Sequence, residues 1–529
     1  MRTKNLPAAF KKTKIVAILK PGKKSDAAEN FRPISLLSIL YKLLERLIYI
    51  RISPKIQEKI PVEQGGFRPN RNTTDQILAL TTHIETGFER NLKTGMALID
   101  LTAAYDTVWR HGVLYKFAKI ITCNTLYTLL NNMLSNRYIY VYLDNQISRQ
   151  RTINDGLPQG AVLSSLLFLL YIGNVPETHS RKFMFADDFA LTVQAKTFME
   201  LEFALTVDLD ILRKFFAKWR LRPNPGKTVV AAFHLCNKQA RRKLRVVFDG
   251  VELKHEFLPK YLGVTLDRTL TFNTNSKRIA AKVEPRINLL RKLAGSTWGA
   301  DVKVLRTSAL ALIFSVAEYA APVWIASAHT YQIDVALNKA LRIVTGTVSS
   351  TPIEWLHVLA NIEPPQVRRT KIFRRQWEKQ LAFSDHPIHT DLNNLPEPRL
   401  ISRKPPWTTW NNIATTPNPE SEWKSLWNVA AVRNNELIED PTQRVPGFDI
   451  SRKAWVRLNR IRTGHGNCNH LLHLWKMVDS ARCDCGAIDQ TMLHIVNDCP
   501  LRKFDGGITK LNQMDNGAIE WLTNLDLNL

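Results

Sequence analysis

The segment Phe185-Ala186-Asp187-Asp188-Phe189 decides how this sequence is read. Two short apolar runs, Phe183–Phe185 and Phe189–Val193, flank a pair of adjacent aspartates and read as strands meeting at a tight turn. Such a turn projects both carboxylates from the end of a hairpin. Like charges side by side repel and resist burial unless a cation neutralises them. Asp100 ends another apolar run, Met96-Ala97-Leu98-Ile99. If the two segments are neighbours in one sheet, three carboxylates converge at its rim. Oxygen-only ligands clustered in this way suit Mg²⁺ or Mn²⁺. Two such ions about 3.5–4 Å apart form the clamp for in-line phosphoryl transfer, one activating the attacking hydroxyl and the other stabilising the leaving pyrophosphate.

Composition agrees with a phosphate-bearing partner. The chain has 529 residues, with 73 Lys+Arg against 47 Asp+Glu and a net charge of +26. Residues 1–60 alone hold 14 Lys/Arg against 4 Asp/Glu. Further basic clusters lie at Lys238–Arg245, Lys277–Arg306 and Arg368–Lys379, a distribution that favours a long groove tracking a polyanion. Hydrophobic residues make up 45%, which excludes wholesale disorder. Six cysteines over this length exclude a disulfide-stapled secreted scaffold. The solid apolar block Ala161–Ile172 falls short of the ~20 residues a membrane-spanning helix needs, so a soluble intracellular protein with no membrane partner is expected.

Periodicity places the motifs. Leu37, Tyr41, Leu44 and Ile48 predict a helix over Ile34–Arg51 with one buried face. Phe198, Leu201, Leu205, Leu209, Leu212, Phe216 and Trp219 predict a longer one, packed on something flat. Val246–Leu266 reads as a small β unit turning at Asp249-Gly250. Lys277 to Val344 is helical and basic. Residues 383–450, with Pro396, Pro398, Pro405-Pro406, Pro417 and Pro419, read as irregular linker.

The order of motifs resembles the reverse transcriptase of non-LTR (LINE-type) retrotransposons, the jockey group most of all. Lys20-Pro21-Gly22-Lys23 with Phe31-Arg32-Pro33-Ile34-Ser35-Leu36-Leu37, and Gln64-Gly65-Gly66-Phe67-Arg68-Pro69-Asn70-Arg71 with Thr74-Asp75-Gln76, are similar to that family's fingers blocks. Ile99 to Trp109, Gly156 to Ser164, Phe185 to Asp188, and Asn224 to Thr228 with Trp219 resemble its palm motifs. Tyr261-Leu262-Gly263-Val264 resembles its primer grip. The resemblance implies an α+β, right-hand polymerase fold of fingers, palm and helical thumb, followed by a small zinc-knuckle-like module. The expected domains are N-terminally truncated fingers at 1–95, palm at 96–275, thumb at 276–350, linker or connection at 351–450, Cys/His module at 451–505 and tail at 506–529.

The resemblance also implies roles. Asp100, Asp187 and Asp188 would hold the catalytic Mg²⁺ (or Mn²⁺), Asp188 less directly. Tyr105 would block the sugar 2′ position and select deoxynucleotides, against an RNA-making polymerase of viral type. Gln159, in a Pro-Gln-Gly turn, would present an amide beside the incoming base or template. Lys227 would protonate or pair with the departing pyrophosphate. Arg32, and behind it Lys20, would grip the triphosphate. Ser165 stands where the family usually has proline, which removes a rigid φ without removing a catalytic group. The family's polyprotein carries an endonuclease ahead of the polymerase, so this chain is expected to be the back half of a longer protein.

In the tail, Cys483, Cys485, His494 and Cys499 form a Cys-Cys-His-Cys set suited to tetrahedral Zn²⁺, with His465, Cys468, His470 and His473 as alternative ligands at less suitable spacing. The expected activity is RNA-directed DNA synthesis, with an RNA template, a DNA primer or target, and deoxynucleoside triphosphates as partners. Its expected location is nuclear, with a cytoplasmic ribonucleoprotein stage. The rival expectation is a decayed element copy that binds nucleic acid without polymerising.

Overall fold

The computed structural model describes residues 6–414, 418–527 and 529. Pro417, and the ends of the expected fingers and tail at 1–5 and Asn528, lie outside the described residues. The chain divides into two compact units, one of Met1–Leu270 with Ala382–Arg403, the other of Thr271–Leu381 with Lys404–Leu529.

The first unit holds two main sheets. It opens with α1 (Ala8–Lys11), β1 (Lys12–Leu19), β2 (Phe31–Leu36), α2 (Ile39–Gln57) and α3 (Thr73–Glu89). Then follow β3 (Lys93–Ile99), α4 (Arg110–Ile120), α5 (Asn124–Leu134), β4 (Arg137–Leu143), β5 (Gln146–Ile147) and β6 (Arg151–Ile153). The motif-bearing stretch is α6 (Ser164–Ile172), β7 (Arg181–Phe185), β8 (Asp188–Ala195), α7 (Phe198–Lys218) and β9 (Val229–Phe233). Short pairs close it: β10 (Val247–Phe248), β11 (Val251–Glu252), β12 (Lys254–His255), β13 (Lys260–Tyr261) and β14 (Val264–Thr265).

One sheet runs β2-β1-β4-β5 with β6 also on β4, and the other runs β12-β9-β3-β8-β7. In the second, β3 is central and pairs antiparallel with both β8 and β9. Its Thr94, Gly95, Met96 and Ala97 are buried, as a central strand covered by helices requires. The helix α7 packs on β3 and β8. Its buried side chains include those of the predicted 3/4 rhythm, Phe198, Leu201, Leu205, Leu209, Leu212 and Phe216, with Asp208 and Phe215 beside them. A capping box of Thr197 and Glu200 satisfies its first N–H groups, and Asn72 with Asp75 does the same for α3. The Asp249-Gly250 turn forms as expected, with both residues at positive φ (51° and 78°) as a two-residue hairpin demands.

Two expectations are corrected. The helix expected from Ile34 begins at Ile39, because Phe31–Leu36 is drawn into a strand by antiparallel pairing with β1. Residues 383–450, expected as irregular linker, carry helices at His389–Leu392, Pro406–Ala414 and Pro419–Asn428, and the helices Ile353–Ala360 and Pro365–Ala382 precede them. Pro365, Pro406 and Pro419 each stand first in a helix, where the missing N–H costs nothing and the fixed φ helps. Of the prolines that suggested a linker, Pro406 and Pro419 are helix starts.

The second unit is helical. Its helix α8 (Asn273–Arg291) packs against the helix Tyr331–Thr345, and Trp355 meets Trp427 edge-on at 4.9 Å. A separate apolar cluster joins Ala454, Leu458 and Ile461 to Met492, Ile495, Leu511 and Leu522, giving the C-terminal segment its own small core. All six cysteines are free, and no described helix is long and apolar enough to cross a membrane.

Candidate active site

The pairing of Phe185 with Asp188 leaves Ala186-Asp187 as a two-residue turn, with Ala186 in the left-handed region at φ 56°. The antiparallel register of β3 on β8 ends at Ile99 opposite Phe189, and one residue further Asp100 and Asp188 stand across from each other. The three aspartates therefore meet at one end of the sheet, as the sequence predicts. Burial raises the Asp187 carboxyl and the Asp100 charge adds to the rise, against a backbone N–H that lowers it. Asp188 opens to solvent on its outer side. The protein behind it, then the charges of Asp187 and Asp100, push its carboxyl up to about 6. Among the described residues no lysine or arginine pairs with any of the three. Two raised carboxylates, Asp187 and Asp188, beside Asp100 and without a cationic partner fit a divalent cation.

Tyr105 lies in the turn after Asp100. Its ring stacks on Phe168 (centroids 4.3 Å, 15°), and Phe67 meets it edge-on at 6.0 Å. Its hydroxyl is buried without a hydrogen-bond partner, and burial, then the Asp187 charge, holds its pKa above the usual value. The Gly156–Gln159 loop is strapped to the same turn. Leu157 N–H donates to Tyr105 C=O at 2.9 Å, and Gly156 N–H to Val108 C=O at 2.8 Å. The buried Arg110 donates to the carbonyls of Gly156, Leu134 and Ile153.

Gln159 Nε2 donates to Asp106 Oδ1 at 3.0 Å. A carboxylate only accepts, so this bond turns the amide's Nε2 end to Asp106 and leaves Oε1 outside it. Gln159 C=O accepts from Ser35 N–H at 2.7 Å, which anchors the loop on β2. Glu45, buried on α2, accepts the Val162 N–H at 2.9 Å just ahead of α6. Sequence reasoning assigned no role to Asp106 or Glu45, since each is an isolated acid in its own segment. Ser165 occupies the second position of α6, where a proline would also fit, so the substitution leaves the helix start intact.

Lys227 is exposed on a loop tied to the carboxylate strand: Asn224 N–H donates to Asp100 C=O at 2.8 Å, and Asp100 N–H donates to Thr228 Oγ1 at 3.3 Å. Tyr261, buried, donates its hydroxyl to Phe183 C=O at 3.2 Å and supports β7 from behind. Lys20 lies within electrostatic reach of Asp106 and donates to Glu29 C=O at 2.7 Å. Arg32 is exposed on β2, paired across from Ile18, and makes no contact with the three aspartates.

Gln64 is the residue that sequence reasoning quoted but left without a role. Its Oε1 accepts the N–H of Ala186 at 2.8 Å and of Gly66 at 2.8 Å, and its Nε2 donates to Ala186 C=O at 3.1 Å. The only sequence signal was the adjacent Gly65-Gly66 pair, which marks a close backbone approach.

In the second unit, ligand atoms of Cys483, Cys485, His494 and Cys499 all lie within 4.8 Å of one another. Cys485 Sγ is 3.2 Å from His494 Nε2, and Cys483 Sγ 3.9 Å from Cys499 Sγ. The alternatives are engaged elsewhere. His465 faces Ser350 Oγ, His470 faces Asp489, His473 faces Val478 C=O, and Cys468 is buried in the apolar cluster.

Residues 18–266 match the family described as reverse transcriptase (RNA-dependent DNA polymerase). Over 358 residues the chain is 32% identical to the probable RNA-directed DNA polymerase from transposon BS of Drosophila melanogaster, covering 65% of this chain and 39% of that protein. Over 362 residues it is 30% identical to the RNA-directed DNA polymerase from mobile element jockey of Drosophila funebris, with the same coverages of 65% and 39%. A likeness at 23% identity to the putative 115 kDa protein in type-1 retrotransposable element R1DM of Drosophila melanogaster extends over 96% of this chain and 49% of that one. The chain thus spans about two fifths of the length of the first two relatives. The motif blocks between Lys20 and Val264 fall within the matched segment, and residues 18–266 are similar to the reverse transcriptase family.

Proposed function

We propose that this chain is an RNA-directed DNA polymerase that extends a DNA primer on an RNA template. The observation that carries the reading is the meeting of Asp100, Asp187 and Asp188 at one sheet end, with Tyr105 against them. In right-hand polymerase terms the β12-β9-β3-β8-β7 sheet is the palm, β1 and β2 belong to the fingers, and α8 begins the thumb. The exposed residues of α8 include Lys277, Arg278, Lys282 and Arg291, a basic face suited to a nucleic-acid backbone.

Asp100, Asp187 and Asp188 would hold Mg²⁺ (or Mn²⁺), which when bound supplies activation of the primer hydroxyl and charge for the leaving pyrophosphate. The Tyr105 ring, fixed by Phe168, closes the space a 2′-hydroxyl would need. Gln159 offers its Oε1 to the template–nucleotide pair while Asp106 holds its other face. Lys227 donates a proton to, or pairs with, the departing pyrophosphate. Lys20 and Arg32 hold the triphosphate by charge.

The clustered Cys483, Cys485, His494 and Cys499 would hold one Zn²⁺, tying loops that surround a small core. Such a module beside a basic chain suits nucleic-acid contact. Nuclear residence with a cytoplasmic ribonucleoprotein stage follows from the same reading.

Primer extension on an RNA template tests the proposal. Extension with deoxynucleotides, but not with ribonucleotides, is expected. Salt-sensitive template binding without extension would favour a chain that only binds nucleic acid.

A further inference from the structure

The turn that carries Asp187 is held from outside its own hairpin. Ala186 occupies the left-handed region, which a residue with a Cβ adopts only when its surroundings impose it. Both backbone groups of Ala186 are satisfied by one side chain, Gln64, which lies 122 residues away in sequence and is 1% exposed. The same Oε1 also takes the Gly66 N–H at 2.8 Å, so the amide is locked on both sides.

The segment bearing Gln64 is itself pinned beside β7. Gly65 N–H donates to Met184 C=O at 2.8 Å and Met184 N–H to Glu63 C=O at 3.0 Å, a parallel bridge at Gln64 and Met184. From the other side, Gln76 Nε2 on α3 donates to Glu63 C=O at 3.1 Å. A Cβ added at Gly66 would collide with the backbone N of Ala186, so this close approach requires glycine. The chain of contacts runs from α3 through residues 63–66 to Ala186, and the next residue is Asp187.

We propose that Gln64 is a positioning residue for the metal-binding turn: its amide fixes the Ala186 peptide, and through it the direction of the Asp187 carboxylate. This rests on the polymerase reading above. It assigns Gln64 no contact with nucleotide or nucleic acid.

The test uses the full chain with Gln64→Met, which keeps the side-chain length and removes the hydrogen bonds, and with Gly66→Ala, which displaces the turn from the neighbouring residue. Mn²⁺ binding is read by the electron paramagnetic resonance of free Mn²⁺, alongside the Mg²⁺ dependence of primer extension and template–primer affinity by fluorescence anisotropy. Both variants are expected to weaken Mn²⁺ binding by about 10-fold or more, as loss of a group orienting a metal ligand does. The Mg²⁺ requirement for extension should rise in parallel, with template–primer affinity within about twofold of wild type. Gln64→Glu keeps the acceptor for both N–H groups and should recover part of the Mn²⁺ affinity. Should Gln64→Met lose its cooperative thermal transition, Gly66→Ala and Gln64→Glu carry the test. Wild-type Mn²⁺ affinity in folded Gln64→Met or Gly66→Ala protein would overturn the proposal. If the wild type binds Mn²⁺ but extends no primer, the polymerase reading fails, and the Mn²⁺ comparison still decides the role of Gln64.

Discussion

Asn224 donates its backbone N–H to the carbonyl of Asp100 at 2.8 Å, and this bond joins two parts of the site that are more than a hundred residues apart in sequence. Thr228 closes the same junction by accepting the Asp100 N–H at 3.3 Å, and its hydroxyl donates back to Asn224 C=O at 2.8 Å. Lys227 therefore rides on a loop whose two ends are fixed to the carboxylate strand. Lys227→Ala is expected to lower the maximal extension rate by about 10²-fold, the usual scale for a lost proton donor. Template–primer affinity and thermal stability should stay near wild type, because the side chain is exposed. Single-turnover extension with pre-bound template–primer reads the difference.

Tyr105 is held flat against Phe168, so the space beside Asp187 has a rigid wall. Tyr105→Ala should reduce discrimination against ribonucleotides by about 10–100-fold, the range a single steric contact supplies. Extension with each nucleotide type, compared as kcat/KM, checks this. Tyr105→Phe should leave discrimination intact, since the hydroxyl makes no hydrogen bond.

Lys116 lies in the core of the first unit, with its ammonium 3.7 Å from the Trp219 ring centroid and bonded to Tyr171 C=O and Asn174 Oδ1. Burial, then the Lys218 charge, lowers its pKa from 10.5 to about 7. Between these values the unfolded chain binds the proton and the folded one does not. Native stability contributed through this group therefore rises as pH increases above about 7, and the contribution is flat below it. Urea unfolding should show wild type gaining about 2 kcal/mol over Lys116→Met between pH 7 and pH 9. An equal pH response in the two proteins would contradict the burial of this charge.

The tail cluster predicts one zinc per chain by metal analysis. Cys485→Ser or His494→Ala should release it and loosen the segment around Ile495 and Val496, read as faster amide exchange. Cys468→Ala should retain the zinc, because that thiol faces apolar neighbours rather than the cluster.

The hairpin, its two strands and the third carboxylate were legible in the sequence because short apolar runs bound the paired acids and another ends at Asp100. The same holds for α7, whose apolar rhythm survives over 21 residues. The helices within 351–450 were not legible. Ile353–Ala360 and Pro406–Ala414 are short, and proline at a helix start looks locally like a linker. The supports of the site were equally hidden. Gln64, Glu45 and Asp106 act through side-chain hydrogen bonds to partners between 53 and 122 residues away, and no local pattern records such a bond. The zinc candidates stood out by spacing, and the fold brings Cys483, Cys485, His494 and Cys499 together while His470 and His473 are bonded elsewhere.

The most direct measurement compares wild type with Asp187→Asn on poly(rA) primed with oligo(dT), supplied with dTTP and Mg²⁺. The aspartate end of the sheet should make the wild type incorporate dTMP, and Asp187→Asn should lose at least about 10³-fold of that rate while binding template–primer as before. Incorporation that survives Asp187→Asn, or a folded wild type that binds template–primer and incorporates nothing, would contradict the account.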